Sequence, residues 1–218
     1  MQKTLLILFV KAPGGRDVKT RLKSVLTLKK RGQLYEAFIL DTLALSASLP
    51  TQRALACTPD ITDPFFTRCQ KEHATLLVQQ EGDTLGDRMK NAFQWAFSLG
   101  FTKVIIIGSD SPTLPPSFLE EAFKQLHTVP IVLGPATDGG YYLIGARPPL
   151  PDIFSGIPWG ASTVFLETIR RLRRFHLLPF WYDVDRPDDL AFLKEHLAYL
   201  RRKKLPFAQE TGNRLKQL

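Results

Sequence analysis

Cysteine and long apolar runs are both scarce in this chain of 218 residues. Its two cysteines, Cys57 and Cys69, have no histidine or cysteine nearby at the spacing of a zinc site. A disulfide framework is excluded, and we expect both thiols to pack in the interior. The longest apolar runs, residues 5–10 and 104–107, are far shorter than the ~20 residues that a membrane-spanning helix needs. The sequence therefore predicts no membrane span.

The first apolar run is also too short for a secretion signal. It has six residues, against the ~7–15 of the apolar part of a signal peptide, and Lys11 ends it. The expected location is therefore the cytoplasm. With 44% apolar and 23% charged residues, the chain has the composition of one globular domain with a continuous core. We assign residues 1–200 to that domain and residues 201–218 to a basic C-terminal tail.

Positive charge is concentrated at the two ends of the chain, which carries a net charge of +8. Residues 1–31 hold nine basic side chains and one acidic one, and residues 201–218 hold six and one. A protein that binds nucleic acid usually carries its basic residues as a stripe across folded elements, together with a recognisable binding motif. Here the positive charge is concentrated at the chain ends, and the sequence has no such motif. Nucleic-acid binding is therefore only a remote alternative, and we expect small-molecule partners.

Short runs rich in Ile, Leu and Val alternate with segments of helical period, which is typical of a largely parallel sheet covered by helices. Helical spacing is clear near residues 34–45 and 89–97. In such sheets, ligands bind beyond the carboxyl ends of the strands. The predicted strands are 4–10, 54–57, 76–79, 103–107, 131–133, 141–146 and 178–182, and further predicted helices are 116–126, 162–174 and 187–199.

A basic loop with a pair of glycines follows the first predicted strand. It contains Lys11, Lys19 and Arg21, and it can place cations and backbone N–H groups against a polyphosphate. Pro13 and Val18 stand where a Walker P-loop requires glycine, so the loop does not predict a kinase or an ATPase. An exposed basic loop without a ligand is the alternative interpretation.

Carboxylates follow two other predicted strands. Asp110 comes directly after the apolar run 104–107, where an isolated ion is costly to bury. It is a candidate ligand for Mg²⁺ or Mn²⁺, and capping of the next helix is the alternative. Four aspartates lie in positions 183–189. Helix capping accounts for Asp188 and Asp189, and we expect Asp185 to meet Asp110 and complete a cation site.

A glycine-rich segment joins the predicted strands 131–133 and 141–146. Asp138, Gly139 and Gly140 have the sequence of a tight hairpin turn. Paired glycines also let a ligand approach the backbone closely, and an aspartate can bind sugar hydroxyls or accept a proton. A simple turn and a substrate-binding loop both remain open at this point.

Together these segments resemble the GT-A-type nucleotide-diphospho-sugar transferases. The resemblance is specifically to a small bacterial glycosyltransferase-like family, formerly a domain of unknown function, some members of which are associated with arsenosugar biosynthesis. It runs from Leu5 to about Leu193 and implies a three-layer α/β/α sandwich with a mostly parallel central sheet, the Rossmann-like GT-A fold. The motifs that carry it are residues 9–13 (Phe-Val-Lys-Ala-Pro), 18–22 (Val-Lys-Thr-Arg-Leu), 82–89 (Gly-Asp-Thr-Leu-Gly-Asp-Arg-Met), 108–112 (Gly-Ser-Asp-Ser-Pro), 134–142 (Gly-Pro-Ala-Thr-Asp-Gly-Gly-Tyr-Tyr) and 157–159 (Ile-Pro-Trp).

The resemblance implies a cation site with two departures from the family patterns. Asp110 stands where the superfamily has an Asp-x-Asp metal motif, but a serine replaces one of the two acids. Asp185 matches the first acid of an Asp-Thr-Pro-Glu-Asp-Leu element of sugar-acid cytidylyltransferases, with Arg186 in place of threonine. In the phosphate loop, Gly15 and Arg16 replace the proline and glycine that are common in relatives. This loop should therefore be more flexible and more cationic.

The resemblance also implies which residues contact the ligands. A structural alternative is that Asp83 or Thr84 caps the following helix, and another is that Trp159 packs in the core. The implied nucleotide-binding residues are Lys11, Lys19, Arg21, Gly82, Asp83, Gly86, Arg88 and Ser109, and the implied substrate-binding residues are Thr137, Asp138, Gly139, Gly140, Tyr141 and Trp159.

The leading hypothesis is a glycosyltransferase that moves a sugar from a nucleotide-diphospho-sugar to a small-molecule acceptor with Mg²⁺ or Mn²⁺. In it, Asp138 positions or deprotonates the acceptor, and Lys19 acts on the departing phosphates. The alternative on the same scaffold is nucleotidyl transfer, in which a nucleoside triphosphate donates its monophosphate to a phosphorylated small molecule, as in 2-phospholactate guanylyltransferases.

Overall fold

A seven-stranded sheet runs through the computed structural model, which describes residues 3–218. Its strands are β1 (Thr4–Lys11), β2 (Gln52–Thr58), β3 (Leu76–Gln79), β4 (Lys103–Ile107), β5 (Ile131–Pro135), β6 (Tyr141–Ala146) and β7 (Phe175–Leu177). Their order across the sheet is β3-β2-β1-β4-β6-β5-β7. Strand β6 runs antiparallel to β4 and β5, whereas the other pairings described are parallel.

Helices cover both faces of this sheet. They are α1 (Leu28–Ser46), α2 (Pro64–His73), α3 (Leu85–Ser98), α4 (Pro116–Gln125), α5 (Val164–Ile169), α6 (Pro187–Arg202) and α7 (Gln209–Leu215). Side chains of α1, α2 and α4 pack on one face, and those of α3 and α5 pack on the other. Along β1, Leu6 and Leu8 face the first layer while Leu5 and Ile7 face the second, because successive side chains of a strand point in opposite directions. The predicted α/β/α sandwich with a mostly parallel sheet is confirmed.

A third apolar cluster joins the C-terminal helices to the outer side of α1. Leu34 and Phe38 of α1 pack there with Leu193 of α6 and Ala208. Asp41 accepts hydrogen bonds from the first two backbone N–H groups after the start of α7, at 2.9 and 2.7 Å. The segment 201–218, assigned above to a basic tail, therefore holds a helix that packs against α1.

The prediction was wrong at the last strand and at the helix before it. Strand β7 ends at Leu177, ahead of the predicted strand 178–182, because Pro179 has no N–H for a ladder and the following chain keeps only an isolated bridge at Trp181. The predicted helix 162–174 is shorter in the structure, where α5 ends at Ile169. Beyond it, the guanidinium of Arg171 donates hydrogen bonds to the backbone carbonyls of Ser155 and Gly156.

Two further sequence predictions concern the cysteines and the membrane. Cys57 and Cys69 are both buried and free, which confirms that they are packing residues. No helix in residues 3–218 has the length and apolar character required to cross a membrane.

Candidate functional site

A buried lysine connects the two acids that follow β4 and β7. The Lys19 ammonium contacts the carboxylate of Asp110, and its Nζ lies 3.2 Å from Oδ1 of Asp185. The same Nζ donates a hydrogen bond of 2.8 Å to the carbonyl of Val184. Arg21 approaches Asp185 from the other side, with Nη1 3.1 Å from Oδ2. The structure therefore brings Asp110 and Asp185 together, as the sequence predicts, and places Lys19 between them.

Backbone contacts explain why these side chains meet. The N–H of Val184 donates to the carbonyl of Asp110 at 2.9 Å, which ties the last loop to the loop after β4. The carboxylate of Asp189 accepts the N–H groups of Asp185 and Arg186 at 3.0 and 2.7 Å at the start of α6. Asp189 is therefore a capping residue, as predicted. This capping leaves the side chain of Asp185 available to Lys19.

The ammonium of Lys19 is almost completely shielded from water. Its side chain is 3% exposed, whereas those of Asp110 and Asp185 are 42% and 33% exposed. Burial by itself lowers the pKa of Lys19, but the neighbouring carboxylates outweigh it, so the pKa is raised and the side chain stays cationic. The site is thus a buried cation held by two carboxylates that partly face solvent.

A cavity of about 260 Å³ opens beside this cluster. Three cationic side chains line it, and so do three carboxylates. Because the two sets balance, a polyphosphate that enters the cavity requires additional positive charge for its neutralisation. The cationic lining residues are Lys11, Lys19 and Arg21, and the acidic ones are Asp17, Asp110 and Asp185.

A second cavity of about 360 Å³ adjoins the first and shares Arg21 and Asp185 with it. Its walls combine aromatic rings with carboxylates. The residues that give it this character are Asp138, Tyr141, Trp159, Asp183 and Arg186. The pair of cavities can therefore hold a charged group and a polar, ring-shaped group side by side.

The turn between β5 and β6 presents Asp138 to the second cavity. Oδ1 of Asp138 accepts the N–H of Gly140 at 2.9 Å, and Gly139 has a φ of +93°. A Cβ at Gly139 would lie 2.0 Å from the carbonyl oxygen of Ser162, so only glycine fits there. The hairpin interpretation is confirmed, and the turn also holds an exposed carboxylate against the cavity. Thr137 is exposed at the start of this turn, where its N–H donates to the carbonyl of Trp181.

Trp159 links the two predicted ligand-binding segments. It is half-buried, and its ring packs edge-to-face on Tyr141 with 6.3 Å between centroids. Its indole also packs against Gly86, where an added Cβ would lie 2.5 Å from ring atoms. Trp159 therefore packs against the apolar layer of α3 and also forms part of the cavity wall.

The segment 82–88 comprises the end of the loop before α3 and the first residues of that helix. It lies outside the first cavity. Thr84 caps the helix in a reciprocal capping box with Asp87, which confirms the structural alternative for Thr84. Arg88 Nε donates to the carbonyl of Gly82 at 3.0 Å and so stabilises its own loop. The residues lining the first cavity, within the part of the chain described, do not include the predicted nucleotide contacts Gly82, Asp83, Gly86 and Arg88.

Ser109 points into the interior beneath the first cavity. Its Oγ is hydrogen-bonded to the hydroxyl of Tyr35 at 2.7 Å, and that hydroxyl accepts the N–H of Lys11 at 3.1 Å. Burial raises the pKa of Tyr35, so its hydroxyl stays neutral. Ser109 thereby supports Tyr35, which lines the cavity and was not predicted from the sequence.

Asp183 is a further site residue that the sequence did not single out. Its carboxylate accepts a hydrogen bond from Ser111 and lines the second cavity. Burial, together with the charge of Asp110, raises the pKa of Asp183 to about 7. The sequence does place Asp183 directly after the last apolar segment, which is where a site residue is expected. Three more aspartates follow within six residues, so this position alone did not distinguish Asp183 from them.

The carboxylates of Asp110 and Asp185 offer the oxygen donors that Mg²⁺ and Mn²⁺ prefer. Within residues 3–218, no group of three or more His, Cys, Asp or Glu side chains is arranged to hold a metal ion. Two protein carboxylates with phosphate and water as the remaining ligands are a usual Mg²⁺ environment. The donors therefore fit such a cation, on the condition that it shares them with the Lys19 ammonium.

Comparison with solved structures supports the fold. A CMP:2-keto-3-deoxy-manno-octonic acid synthetase complexed with CTP matches with a TM-score of 0.57 and 12% identity, covering 94% of this chain and 100% of that chain. A cytidylyltransferase from Leptospira borgpetersenii serovar Hardjo-bovis (strain JB197) matches with a TM-score of 0.60 and 14% identity, covering 100% and 95%. At these identities the likeness extends to the fold alone. No curated protein matches the chain significantly.

A much more similar structure comes from Desulfovibrio desulfuricans G20, a protein named as a candidate nucleotide-diphospho-sugar transferase. It is 34% identical, with a TM-score of 0.88, and the match covers 100% of this chain and 95% of that chain. The fold and this similarity thus place the chain in the nucleotide-diphospho-sugar transferase class. Within that class, the chain belongs to the family described as "Uncharacterized protein conserved in bacteria (DUF2064)", whose match spans residues 41–161.

Proposed function

We propose that the protein is a glycosyltransferase that moves a sugar from a nucleotide-diphospho-sugar to a small-molecule acceptor, with Mg²⁺ or Mn²⁺ at Asp110 and Asp185. The observation that carries the proposal is the pair of adjoining cavities that share Arg21 and Asp185. One cavity has the charges to bind phosphates together with a cation, and the other has the walls of a sugar site.

The first cavity supports the binding of a diphosphate with a divalent cation. Lys11 and Arg21 offer their charges to the phosphates, and Lys19 lies beside the two carboxylates. Since the acids of the cavity cancel these three positive charges, the protein alone leaves the diphosphate unneutralised. A divalent cation at Asp110 and Asp185 would supply the missing charge as the nucleoside diphosphate departs.

The second cavity supports an uncharged, hydroxyl-rich ligand. Tyr141 and Trp159 offer apolar ring surfaces, and Asp138 and Asp183 can accept hydrogen bonds from hydroxyl groups. Three acidic side chains and two arginines line this cavity, but Asp183 has a pKa raised to about 7 and is partly protonated, so the lining is close to neutral. A phosphorylated substrate gains little in these surroundings, because Asp138 and Asp185 offset the charges of Arg21 and Arg186.

In the proposed reaction, a hydroxyl oxygen of the acceptor attacks the anomeric carbon of the sugar. The new carbon–oxygen bond forms as the bond from that carbon to the β-phosphate oxygen breaks. Asp138 is held by its hydrogen bond from Gly140 and takes the hydroxyl proton as general base. Arg21 lies at the boundary between the cavities, where it can stabilise the negative charge of the departing diphosphate.

Nucleotidyl transfer is the second candidate, and the three cationic side chains of the first cavity favour it. In this reaction, Lys19 and Arg21 would bind a triphosphate, pyrophosphate would leave, and the Gly139-Gly140 turn would hold a phosphorylated substrate. Within the described part of the chain, the second cavity has no excess of positive charge to hold a phosphorylated substrate, which argues against this candidate.

The products of the reaction distinguish the two candidates. Purified protein is incubated with Mn²⁺ and either radiolabelled nucleotide-sugars with pooled small acceptors or nucleoside triphosphates with phosphorylated acids. Glycosyl transfer releases a nucleoside diphosphate and a labelled sugar product, and Asp138→Asn should reduce the rate at least about a hundredfold. Pyrophosphate release that depends on a phosphorylated acid would contradict the proposal and establish nucleotidyl transfer.

A further inference from the structure

Lys19 differs from the other basic residues of its loop in how tightly the fold holds it. Its backbone adopts the left-handed conformation, with φ 47° and ψ 45°, which is unfavourable for a residue with a Cβ. Its side chain is 3% exposed, and Nζ lies 5.2 Å from the ring centroid of Phe38. Arg21, two residues later, has a side chain that is 58% exposed. The structure thus directs Lys19 inward, toward the acids.

The ammonium occupies the position that a cation bridging Asp110 and Asp185 would need. It contacts both carboxylates, and the carbonyl of Val184 accepts a further hydrogen bond from it. One positive charge already compensates part of the charge of the pair. A divalent cation that arrives alone must therefore compete with an ammonium that the fold has placed at the same oxygens.

A nucleotide changes this competition, because Lys19 also lines the phosphate cavity. A phosphate oxygen in that cavity offers the ammonium a new anionic partner. Lys19 can then release one carboxylate without becoming a buried charge that lacks a partner, which would be costly. The phosphate is also a ligand for the incoming cation.

We propose that Lys19 is the resident counter-ion of the Asp110–Asp185 pair, and that it makes binding of the divalent cation and binding of the nucleotide mutually dependent. The inference rests on the proposed function, since it concerns the same phosphate and cation site. It assigns Lys19 a positioning role beyond contact with phosphate. Because coupling between two ligands is reciprocal, each should tighten the binding of the other by the same factor.

The test measures Mn²⁺ binding by electron paramagnetic resonance in the absence and presence of UDP, GDP, CDP or ADP, each tested separately. In the wild-type protein, we expect at least one nucleotide to raise the affinity for Mn²⁺ about tenfold or more. In Lys19→Met, we expect Mn²⁺ alone to bind about tenfold more tightly than to the wild type. The enhancement by nucleotide should be smaller than in the wild type, and direct coordination of Mn²⁺ by the phosphate accounts for the part that remains.

Two controls separate this role from a general effect of charge or folding. Lys23→Met removes an exposed positive charge from the same loop and should change the affinity for Mn²⁺ alone less than about twofold. Lys19→Arg keeps the positive charge, so the enhancement of Mn²⁺ affinity by nucleotide should be larger in it than in Lys19→Met. A damaged fold would weaken Mn²⁺ binding, so a gain of affinity cannot come from damage.

The inference is overturned if Mn²⁺ binds the wild type equally well with and without nucleotide, a measurement that needs no variant. It is also overturned if folded Lys19→Met binds Mn²⁺ alone no more tightly than the wild type. In either case nucleotide-dependent sugar transfer can still be observed, and the proposed function stands. If neither the wild type nor any of the variants binds Mn²⁺ with any of the four nucleotides, both the inference and the proposed cation site are contradicted.

Discussion

Replacing Asp110 with asparagine should separate ligand binding from stability. The change neutralises one of the two carboxylates beside Lys19 and keeps the size of the side chain. The amide oxygen of the asparagine can still accept a hydrogen bond, and Lys19 keeps Asp185 and the carbonyl of Val184 as partners. The buried ammonium therefore retains one full negative charge next to it.

The expected loss of stability follows from that remaining partner. Removing one member of a buried ion pair costs about 3–5 kcal/mol when the other charge is left alone. Lys19 is not left alone, and the side chain of Asp110 is 42% exposed, so solvent already screens part of the interaction. We expect the free energy of unfolding of Asp110→Asn to fall by about 1–2 kcal/mol. We expect the affinity for a nucleoside diphosphate with Mn²⁺ to fall at least about tenfold, because the cation loses one of its two carboxylates.

Urea unfolding followed by circular dichroism gives the first quantity, and calorimetric titration with Mn²⁺ and a nucleoside diphosphate gives the second. Asp188→Asn is the matched control, because it neutralises an exposed acid in the first turn of α6. It should leave the titration close to that of the wild type and lower the free energy of unfolding by less than about 1 kcal/mol, the contribution of an acid in the first turn of a helix. A loss of more than about 4 kcal/mol in Asp110→Asn would show that Asp110 mainly maintains the fold. An unchanged titration would refute its role as a cation ligand.

Three further predictions concern the second cavity and the start of α7. Gly86→Ala places a Cβ 2.5 Å from the indole of Trp159, so it should destabilise the protein by about 1–3 kcal/mol and raise KM for the sugar donor, as measured by urea unfolding and kinetics. Burial raises the pKa of Asp183 to about 7, above an unfolded value of about 4, so its ionisation opposes folding increasingly as the pH rises between them. From pH 5 to pH 8 the wild type should lose about 2–3 kcal/mol more stability than Asp183→Asn, and equal losses in urea unfolding would contradict this. Asp41→Ala removes the acceptor of two N–H groups at the start of α7 and should lower the free energy of unfolding by about 1–2 kcal/mol, without changing KM.

Most of the sheet could be predicted from the sequence because its central strands are apolar and buried. Strands β3, β4 and β6 have the predicted bounds, and β1 extends one residue further. Continuous apolar runs leave little ambiguity at such positions. Strand β7 was placed too late because its three residues, Phe175–Leu177, are too few to form a recognisable apolar run. The apolar residues that follow it pack without forming a ladder, so their periodicity was misleading.

The meeting of Asp110 and Asp185 was also predicted, but for an incomplete reason. Strand β7 ends at Leu177 and is separated from β4 by β5 and β6, so the two acids do not follow neighbouring strands. They meet because the chain after β7 returns to the loop after β4, where the N–H of Val184 donates to the carbonyl of Asp110. The position of Lys19 between them could not be predicted, because it depends on a left-handed backbone conformation and on burial against Phe38. Asp183 and Tyr35 were missed for a similar reason. Their contacts arise from the way separate loops pack, and no spacing along the chain encodes that packing.

An anomalous-scattering map from a crystal grown with Mn²⁺ and a nucleoside diphosphate tests the central claim most directly. We expect one Mn²⁺ peak within coordination distance of carboxylate oxygens from both Asp110 and Asp185, with the diphosphate beside Lys19. A nucleotide bound elsewhere, or a Mn²⁺ peak that neither carboxylate approaches, would contradict the account.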